Sequence, residues 1–360
     1  MKRPARPPPA AAAAAIAFAA ATISLIACGD PARNSPPPAS RTRADARPAR
    51  NDDLPRDYVL VGPAGAAAFA SPPLEKTPPA PGARVGSGFG FAVVDERSVA
   101  SGRYLQIADG RWLPAADVIR ATPSTFAGVA FLPGQGPTQL AWVITPDAAI
   151  QARPDAAAPC LTTRPAHARL QLAGPCRAGW CPLSVGWIRA ADIARPAPQA
   201  RPPAVGPQDR WLDIDLASQT LMAFEGDRAV YATLVSTGIG EPGSPLATPT
   251  GTFTIGPKRR LVRMDNLEHT GVIPYAYDVP LAQYFTDGKA LHAALWHDRF
   301  GRAGSHGCVN LSPADAVWLF AFTSPSTRSA AGATSGGGVG AKNAGTAVRI
   351  RGDLPRVALR

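Results

Sequence analysis

Trp211-Leu212-Asp213-Ile214-Asp215-Leu216 alternates apolar and polar from Leu212 onward, the period-two pattern of a half-buried strand. Thr220-Leu221-Met222-Ala223-Phe224 continues it after a turn. Glu225-Gly226-Asp227 reads as a hairpin tip, and 228–237 as the returning strand. Thr248-Pro249-Thr250-Gly251-Thr252-Phe253 is another turn running into a strand. Few helical patterns are visible before Ser312, so this part of the chain predicts a mostly antiparallel β domain. The Ser-, Gly-, Ala- and Thr-rich stretch 324–345 reads as a flexible insertion. Strand character resumes at 346–350 and is expected to close the sheet.

The chain upstream is also β-like but choppier. Short apolar runs at 58–61, 90–94, 103–107, 140–144 and 170–172 are separated by Gly and Pro, which suggests small barrels or sandwiches. Trp112-Leu113-Pro114-Ala115-Ala116-Asp117-Val118 returns 75 residues later as Trp187-Ile188-Arg189-Ala190-Ala191-Asp192-Ile193, the mark of two tandem modules of one fold. The ending, Trp followed by an Ala-Ala-Asp turn, resembles the last strands of bacterial SH3-like domains. Trp112 and Trp187 read equally well as core residues of plain β modules. The expected organisation is a leader at 1–27, a tether at 28–56, β modules at 57–122 and 130–195, a Pro-rich linker at 196–207 and a catalytic domain at 208–352.

Composition alters this picture mainly at the N-terminus. The 360 residues contain 40 Pro and 34 Gly, much of the Pro in the first 80 residues and at 196–207, which marks linkers. The net charge of +11 is carried mostly by scattered Arg. No lysine run or aromatic RNA-binding motif accompanies it, so no nucleic-acid partner is expected. Lys2, Arg3 and Arg6 precede an uncharged stretch from Ala10 to Ala27, the charged-then-apolar pattern of a secretory signal. It ends Leu25-Ile26-Ala27-Cys28-Gly29, which resembles the bacterial lipoprotein signal and implies cleavage before Cys28 and lipidation of that cysteine. A plain transmembrane anchor is the alternative. Either way the remainder lies outside the cytoplasm, in the cell envelope. Cys160, Cys176 and Cys181 fall within 22 residues, where an oxidising compartment allows a disulfide; the spacing does not choose the pair.

The candidate chemistry lies between Ala290 and Leu311, which holds three of the five histidines (His292, His297, His306) and the lone late cysteine, Cys308. A thiol becomes a strong nucleophile as thiolate, and a neighbouring histidine can take its proton and later return one to a leaving amine. Gly304 and Gly307 allow a tight loop whose N–H groups could face a developing oxyanion.

Ser305-His306-Gly307-Cys308-Val309-Asn310 resembles the signature of L,D-transpeptidases with a YkuD-type catalytic domain. His292, sixteen residues before Cys308, matches the upstream histidine of that family. Thr248-Pro249-Thr250-Gly251-Thr252-Phe253 matches its strand entry, and Ser312-Pro313-Ala314-Asp315-Ala316 its helix after the cysteine. The resemblance covers about 208–352. It implies a mainly β fold, a YkuD-type β-sandwich with a short helix after the catalytic cysteine. It implies a peptidoglycan stem peptide as substrate and no cofactor or metal. Cys308 would be the nucleophile, His292 the proton donor and acceptor, the carbonyl of Ala293 the group orienting His292, and the N–H of Gly307 an oxyanion donor, together with that of Cys308. Ser305, His306, Asn310, Trp296 and Tyr284 would shape the substrate site. The implied product is a 3→3 cross-link or an attached amine; with water as acceptor the reaction becomes an L,D-carboxypeptidase. Position 293 is Ala where Gly or Ser is usual, and 310 is Asn where many members have Arg. A wall-binding lipoprotein that keeps the fold without activity is the reading from another class. No motif names His297 or His269, which are expected to be structural.

Overall fold

The structure is a computed structural model that describes residues 54–55, 57–74, 83–267, 274–286, 288–325 and 345–354. Cys28, the leader, most of the tether, His269 and most of the 324–345 insertion lie outside the described residues. No helix among the described residues is long and apolar enough to cross a membrane.

The first β region contains β1 (Asp57–Val61), β2 (Ala66–Ala68), β3 (Ala83–Val85), β4 (Gly90–Val99), β5 (Gly102–Ile107), β6 (Trp112–Pro114) and β7 (Val118–Arg120). β8 (Val129–Ala130) follows on the connection. The second region contains β9 (Leu140–Val143), β10 (Ala148–Gln151), β11 (Cys160–Arg164), β12 (Arg169–Gln171), β13 (Trp180–Pro182), β14 (Trp187–Arg189) and β15 (Ile193–Ala194). Both copies of the repeat fold alike: a short strand opening on Trp, a 3-10 turn over Ala-Ala-Asp, then another short strand. Each region has its own apolar core, one around Val59, Phe91, Leu105 and Leu113, the other around Val143, Ile150, Leu170 and Ile188. In the second, Cys176 and Cys181 form a disulfide, a pairing that sequence alone left open.

The C-terminal domain contains β16 (Arg210–Asp215), β17 (Thr220–Glu225), β18 (Arg228–Leu234), β19 (Gly251–Thr254), β20 (Lys258–Asp265), β21 (Ala276–Thr286), β22 (Lys289–Ala293), β23 (Val309–Leu311), helix α1 (Pro313–Phe322) and β24 (Ala347–Arg351). One sheet runs β19-β24-β16-β17-β18-β8; the other runs β23-β22-β21 and continues into β4, β1 and β7 of the first region. Leu212, Ile214, Leu221, Val348 and Ile350 from the first sheet meet Leu281, Leu291, Val309 and Leu311 from the second in one buried core, with Ala316 and Leu319 of α1. This is the mainly β sandwich with one short helix that the sequence predicts.

Three details depart from the strand pattern. β24 lies inside its sheet, parallel to β16 and antiparallel to β19, rather than at an edge. β22 and β23 are also parallel. β16 has no solvent face: Asp213 and Asp215 are buried, because Arg349 and Arg351 on the parallel neighbour pair with them at 2.6–3.0 Å. Alternation therefore reported polarity correctly but not exposure.

Helix α1 starts as its sequence dictates. Ser312 caps it by accepting the Asp315 N–H at 3.2 Å, and Pro313 follows where no N–H is needed. Asp315 is wholly buried and accepts from Ser312 Oγ (2.8 Å), Tyr231 Oη (2.7 Å) and the Gly128 N–H (2.7 Å). Burial pushes its carboxyl up and these hydrogen bonds pull it back. Asp315 thus ties the helix after the Cys308 loop to the connection that carries β8.

Candidate active site

β22 and β23 pair with Leu291 opposite Val309, His292 opposite Asn310 and Ala293 opposite Leu311. Leu291, Ala293, Val309 and Leu311 are fully buried in the sandwich core. Side chains alternate along a strand, so His292 and Asn310 share the opposite face, and Cys308, two residues before Asn310, falls on that face too. The parallel pair thereby sets residues eighteen apart in the chain opposite each other.

His292 is buried, and its Nδ1 lies 3.0 Å from the carbonyl oxygen of Ala293. A carbonyl only accepts, so Nδ1 carries the proton and Nε2 keeps its lone pair. Burial lowers the His292 pKa to about 4 against the opposing pull of the Ala293 carbonyl. The ring is therefore a neutral base at neutral pH.

Cys308 is the free cysteine among the described residues and is half-buried. Burial pushes its thiol up, while the Ala290 N–H and the charge of Lys289 pull it down. Its Sγ lies 4.0 Å from the Gly288 carbonyl oxygen. At rest the thiol rests over the start of β22, with His292 two residues further along, on the diagonal.

The loop before Cys308 is tightly tied. Ser305 Oγ donates to the Cys308 carbonyl at 2.5 Å and accepts the Gly307 N–H at 3.1 Å. Thr248 Oγ1 donates to the Gly307 carbonyl at 2.9 Å and accepts the Gly238 N–H at 2.8 Å. The N–H groups of Gly304 and Ser305 both donate to the Thr237 carbonyl. Gly307 has φ of 111°, and a Cβ there would sit 2.9 Å from the Ala247 carbonyl oxygen and against Lys289 Nζ, so only glycine fits. Lys289 Nζ is itself held by the Pro245 carbonyl at 2.7 Å.

The Gly307 N–H, expected to face an oxyanion, donates at rest to Ser305 Oγ, and the hydroxyl two residues back thereby closes a local turn.

Aromatic rings wall the site. Trp296 stacks on Tyr277 with centroids 4.4 Å apart and lies 5.9 Å from the His292 ring. Tyr284, opposite Ala290 in the β21–β22 pair, is half-buried; burial and then the Cys308 charge push its hydroxyl up. His306 stacks on Tyr275 at 4.7 Å, and burial lowers its pKa. Asn310 is buried with its amide against His297, Nδ2 to Nε2 at 2.9 Å, and His297 Nδ1 accepts the Arg299 N–H at 3.1 Å. Burial lowers His297 to about 4. Among the described residues no group of three His, Cys, Asp or Glu side chains converges as a metal would need.

Both upstream β regions reach this site. Gly90 of β4 bridges Tyr277 of β21, the Ala92 N–H donates to Asp278 Oδ2 at 3.0 Å, and Tyr58 stacks on Trp296 at 6.1 Å. A Cβ at Gly90 would lie 2.5 Å from atoms of both Tyr277 and Tyr58, so the close approach requires glycine. From the second region His167 Nδ1 lies 3.4 Å from Asp298 Oδ1, and Arg302 Nε donates to the Ile144 carbonyl at 2.9 Å. Sequence reasoning missed Thr248 as the lock on the loop, Lys289, and the Tyr58–Tyr277 wall. Thr248 lay inside a quoted motif; Lys289, Tyr58 and Tyr277 carried no local signal.

Residues 209–350 match the family model described as the L,D-transpeptidase catalytic domain, YkuD. The chain is 25% identical over 125 residues to YciB of Bacillus subtilis (strain 168), a protein assigned by name to the L,D-transpeptidases. That match covers 31% of this chain and 59% of the relative, so the chain spans about three-fifths of the length of the relative it matches. Among solved structures, an L,D-transpeptidase from Mycobacterium smegmatis aligns over 72% of this chain and 98% of its own, with 18% identity and a TM-score of 0.30. A mutant of the Enterococcus faecium L,D-transpeptidase aligns over 40% and 50%, with 19% identity and a TM-score of 0.30.

Proposed function

With residues 209–350 forming a YkuD-type L,D-transpeptidase catalytic domain, we propose that the protein is a peptidoglycan L,D-transpeptidase of the cell envelope, working through a thioester on Cys308. The observation that carries this reading is the parallel β22–β23 pair, which sets Cys308 at the start of β23 while His292 on β22 offers a neutral imidazole with its Nε2 lone pair.

The family resemblance, with that geometry in support, gives the following roles. Cys308 Sγ attacks the carbonyl of the L-centre linked to D-alanine in a stem peptide, and its proton passes to His292 Nε2. The same proton goes to the amine of D-alanine as the C–N bond breaks, leaving a thioester. An acceptor amine then attacks the thioester, gives its proton by way of His292 to the sulfur, and frees the thiol. A side-chain amine on a neighbouring stem gives a 3→3 cross-link; water in its place gives an L,D-carboxypeptidase. The Ala293 carbonyl holds the His292 tautomer. The Cys308 N–H is the oxyanion donor, and the Gly307 N–H joins it only when Ser305 Oγ turns away. Trp296 and Tyr284 flank the donor peptide, and His306 closes one end. The signal-like start and Cys28 support a lipid anchor, with 28–56 as tether; the modules at 57–122 and 130–195 then brace the catalytic domain at the wall.

The test uses residues 30–360 with a tetrapeptide-stem muropeptide, comparing the wild type with Cys308→Ala by mass spectrometry. A D-alanine-depleted 3→3 dimer, absent in the variant, is the expected result. D-alanine release without dimer would reassign the protein as a carboxypeptidase, and no turnover would leave the wall-binding lipoprotein as the better reading.

A further inference from the structure

Asn310 carries a proton-count problem whose solution assigns a role to His297. The Arg299 backbone N–H donates to His297 Nδ1, so that nitrogen presents a lone pair. A neutral imidazole has one N–H, which must then be on Nε2. Nε2–H lies 2.9 Å from the nitrogen end of the Asn310 amide, and two N–H groups cannot face each other. The other end of the same amide, Oδ1, is buried and has no partner among the described residues. A half-turn of the amide, which changes no volume, resolves both facts at once. Oδ1 then accepts the His297 Nε2–H, and the N–H2 group takes the unpartnered position.

Resting on the transpeptidase reading, we propose that His297 is a positioning residue that holds the Asn310 amide with its N–H2 group toward the face shared with His292 and Cys308, where it donates to an acceptor oxygen of the donor stem peptide. An unpaired buried N–H2 group is unfavourable in the resting protein, and an arriving carboxylate or carbonyl oxygen relieves this. A carboxylate is the stronger acceptor, because the bond is charge-assisted. Ser236, bridged to Asn310 across antiparallel backbone, also keeps a buried hydroxyl without a partner among the described residues. Two unfilled buried polar side chains on bridged residues mark a place made for a polar guest rather than for packing. Burial keeps His297 neutral above about pH 4, so the arrangement holds at neutral pH. The ring is fixed from outside the site: it packs 5.1 Å from Phe300, and Phe300 lies against Phe126 and His167.

Two measurements on the protein decide this. The first needs no variant: ¹⁵N NMR of the His297 ring in the wild type is expected to show protonated Nε2 and bare Nδ1. A Nδ1–H tautomer overturns the proposal. The second is the kinetic split in His297→Phe, which keeps a ring against Phe300 but offers Asn310 no donor. KM for the donor stem is expected to rise about tenfold while kcat falls less than threefold. His297→Gln, which restores an N–H donor, is expected to recover most of the loss. An unchanged KM in His297→Phe overturns the proposal, as does a loss that Gln fails to rescue. The alkylation rate of Cys308 within twofold of wild type shows that the nucleophile loop is intact in each variant. A wild-type protein that turns over no stem peptide overturns the transpeptidase reading itself, and the NMR tautomer separates that failure from an error about the amide.

Discussion

The two upstream β regions share a local sequence and a local fold, yet they hold the catalytic domain in different ways. The first is fused into the sheet: β4 pairs alongside β21, Asp278 receives the Ala92 N–H, and Tyr58 lies on Trp296. The second keeps separate sheets and packs side chains instead: Leu140, Trp142 and Ala194 share a buried apolar cluster with Trp211, Phe224 and Phe300, His167 lies on Asp298, and Arg302 donates to the Ile144 carbonyl. Both grip the segment between His292 and Cys308, one at Trp296, the other at 298–302. A repeated sequence therefore specifies a module but not its docking. Docking depends on a few residues outside the repeat, such as Gly90, whose missing side chain lets Tyr58 and Tyr277 close together.

The largest test of this comparison is acid. His292 and His297 sit at the gripped segment and have folded-state pKa values lowered to about 4, against an ordinary value near 6.5. Between those values the unfolded chain binds more protons than the folded one, so stability is full above pH 6.5 and falls as pH drops toward 4. The loss is at most about 1.4 kcal/mol per pH unit for each ring. Denaturant midpoints between pH 7 and 4 are expected to fall steeply, and His297→Phe should flatten the slope. A pH-independent midpoint would mean that neither ring is buried neutral.

The next effect separates the two grips. Asp278 is 2% exposed and joins Arg263 at 2.7 Å to the Ala92 N–H. Asp278→Asn removes a buried ion pair and is expected to destabilise by about 3 kcal/mol, with loss of turnover. The smallest effect is on the other side. His167→Ala, which cuts a partly exposed contact, is expected to lower stability by about 1 kcal/mol and to change kcat/KM only a few-fold. Equal effects in thermal melts would erase the distinction between a fused and a clipped module.

The fold of 208–352 was largely legible because its strands are local patterns joined by recognisable turns. Cys308 and His292 stood out as candidates because a compact motif holds the cysteine and a fixed spacing ties the histidine to it. The rest depended on register. Nothing between 294 and 308 has a period that reveals that β22 and β23 run parallel, so the pairing of His292 with Asn310 had no sequence signal. His297 looked structural because no motif spacing marks it; only the Arg299 N–H and the Asn310 amide give it a task. The resting partner of the Gly307 N–H, Ser305 Oγ, carried no sequence signal, because glycine in a loop suggests an available donor. Asp213 and Asp215 looked solvent-facing because their arginine partners are more than 130 residues away.

The central claim is that Cys308 carries the acyl group. The most direct measurement mixes the protein with a tetrapeptide-stem donor lacking an acceptor amine, quenches in acid and reads the intact mass. The account predicts an adduct equal to the stem peptide minus D-alanine, mapped to the peptide containing Cys308 and absent in Cys308→Ala. D-alanine release that persists in Cys308→Ala, or an adduct on any other residue, would contradict it.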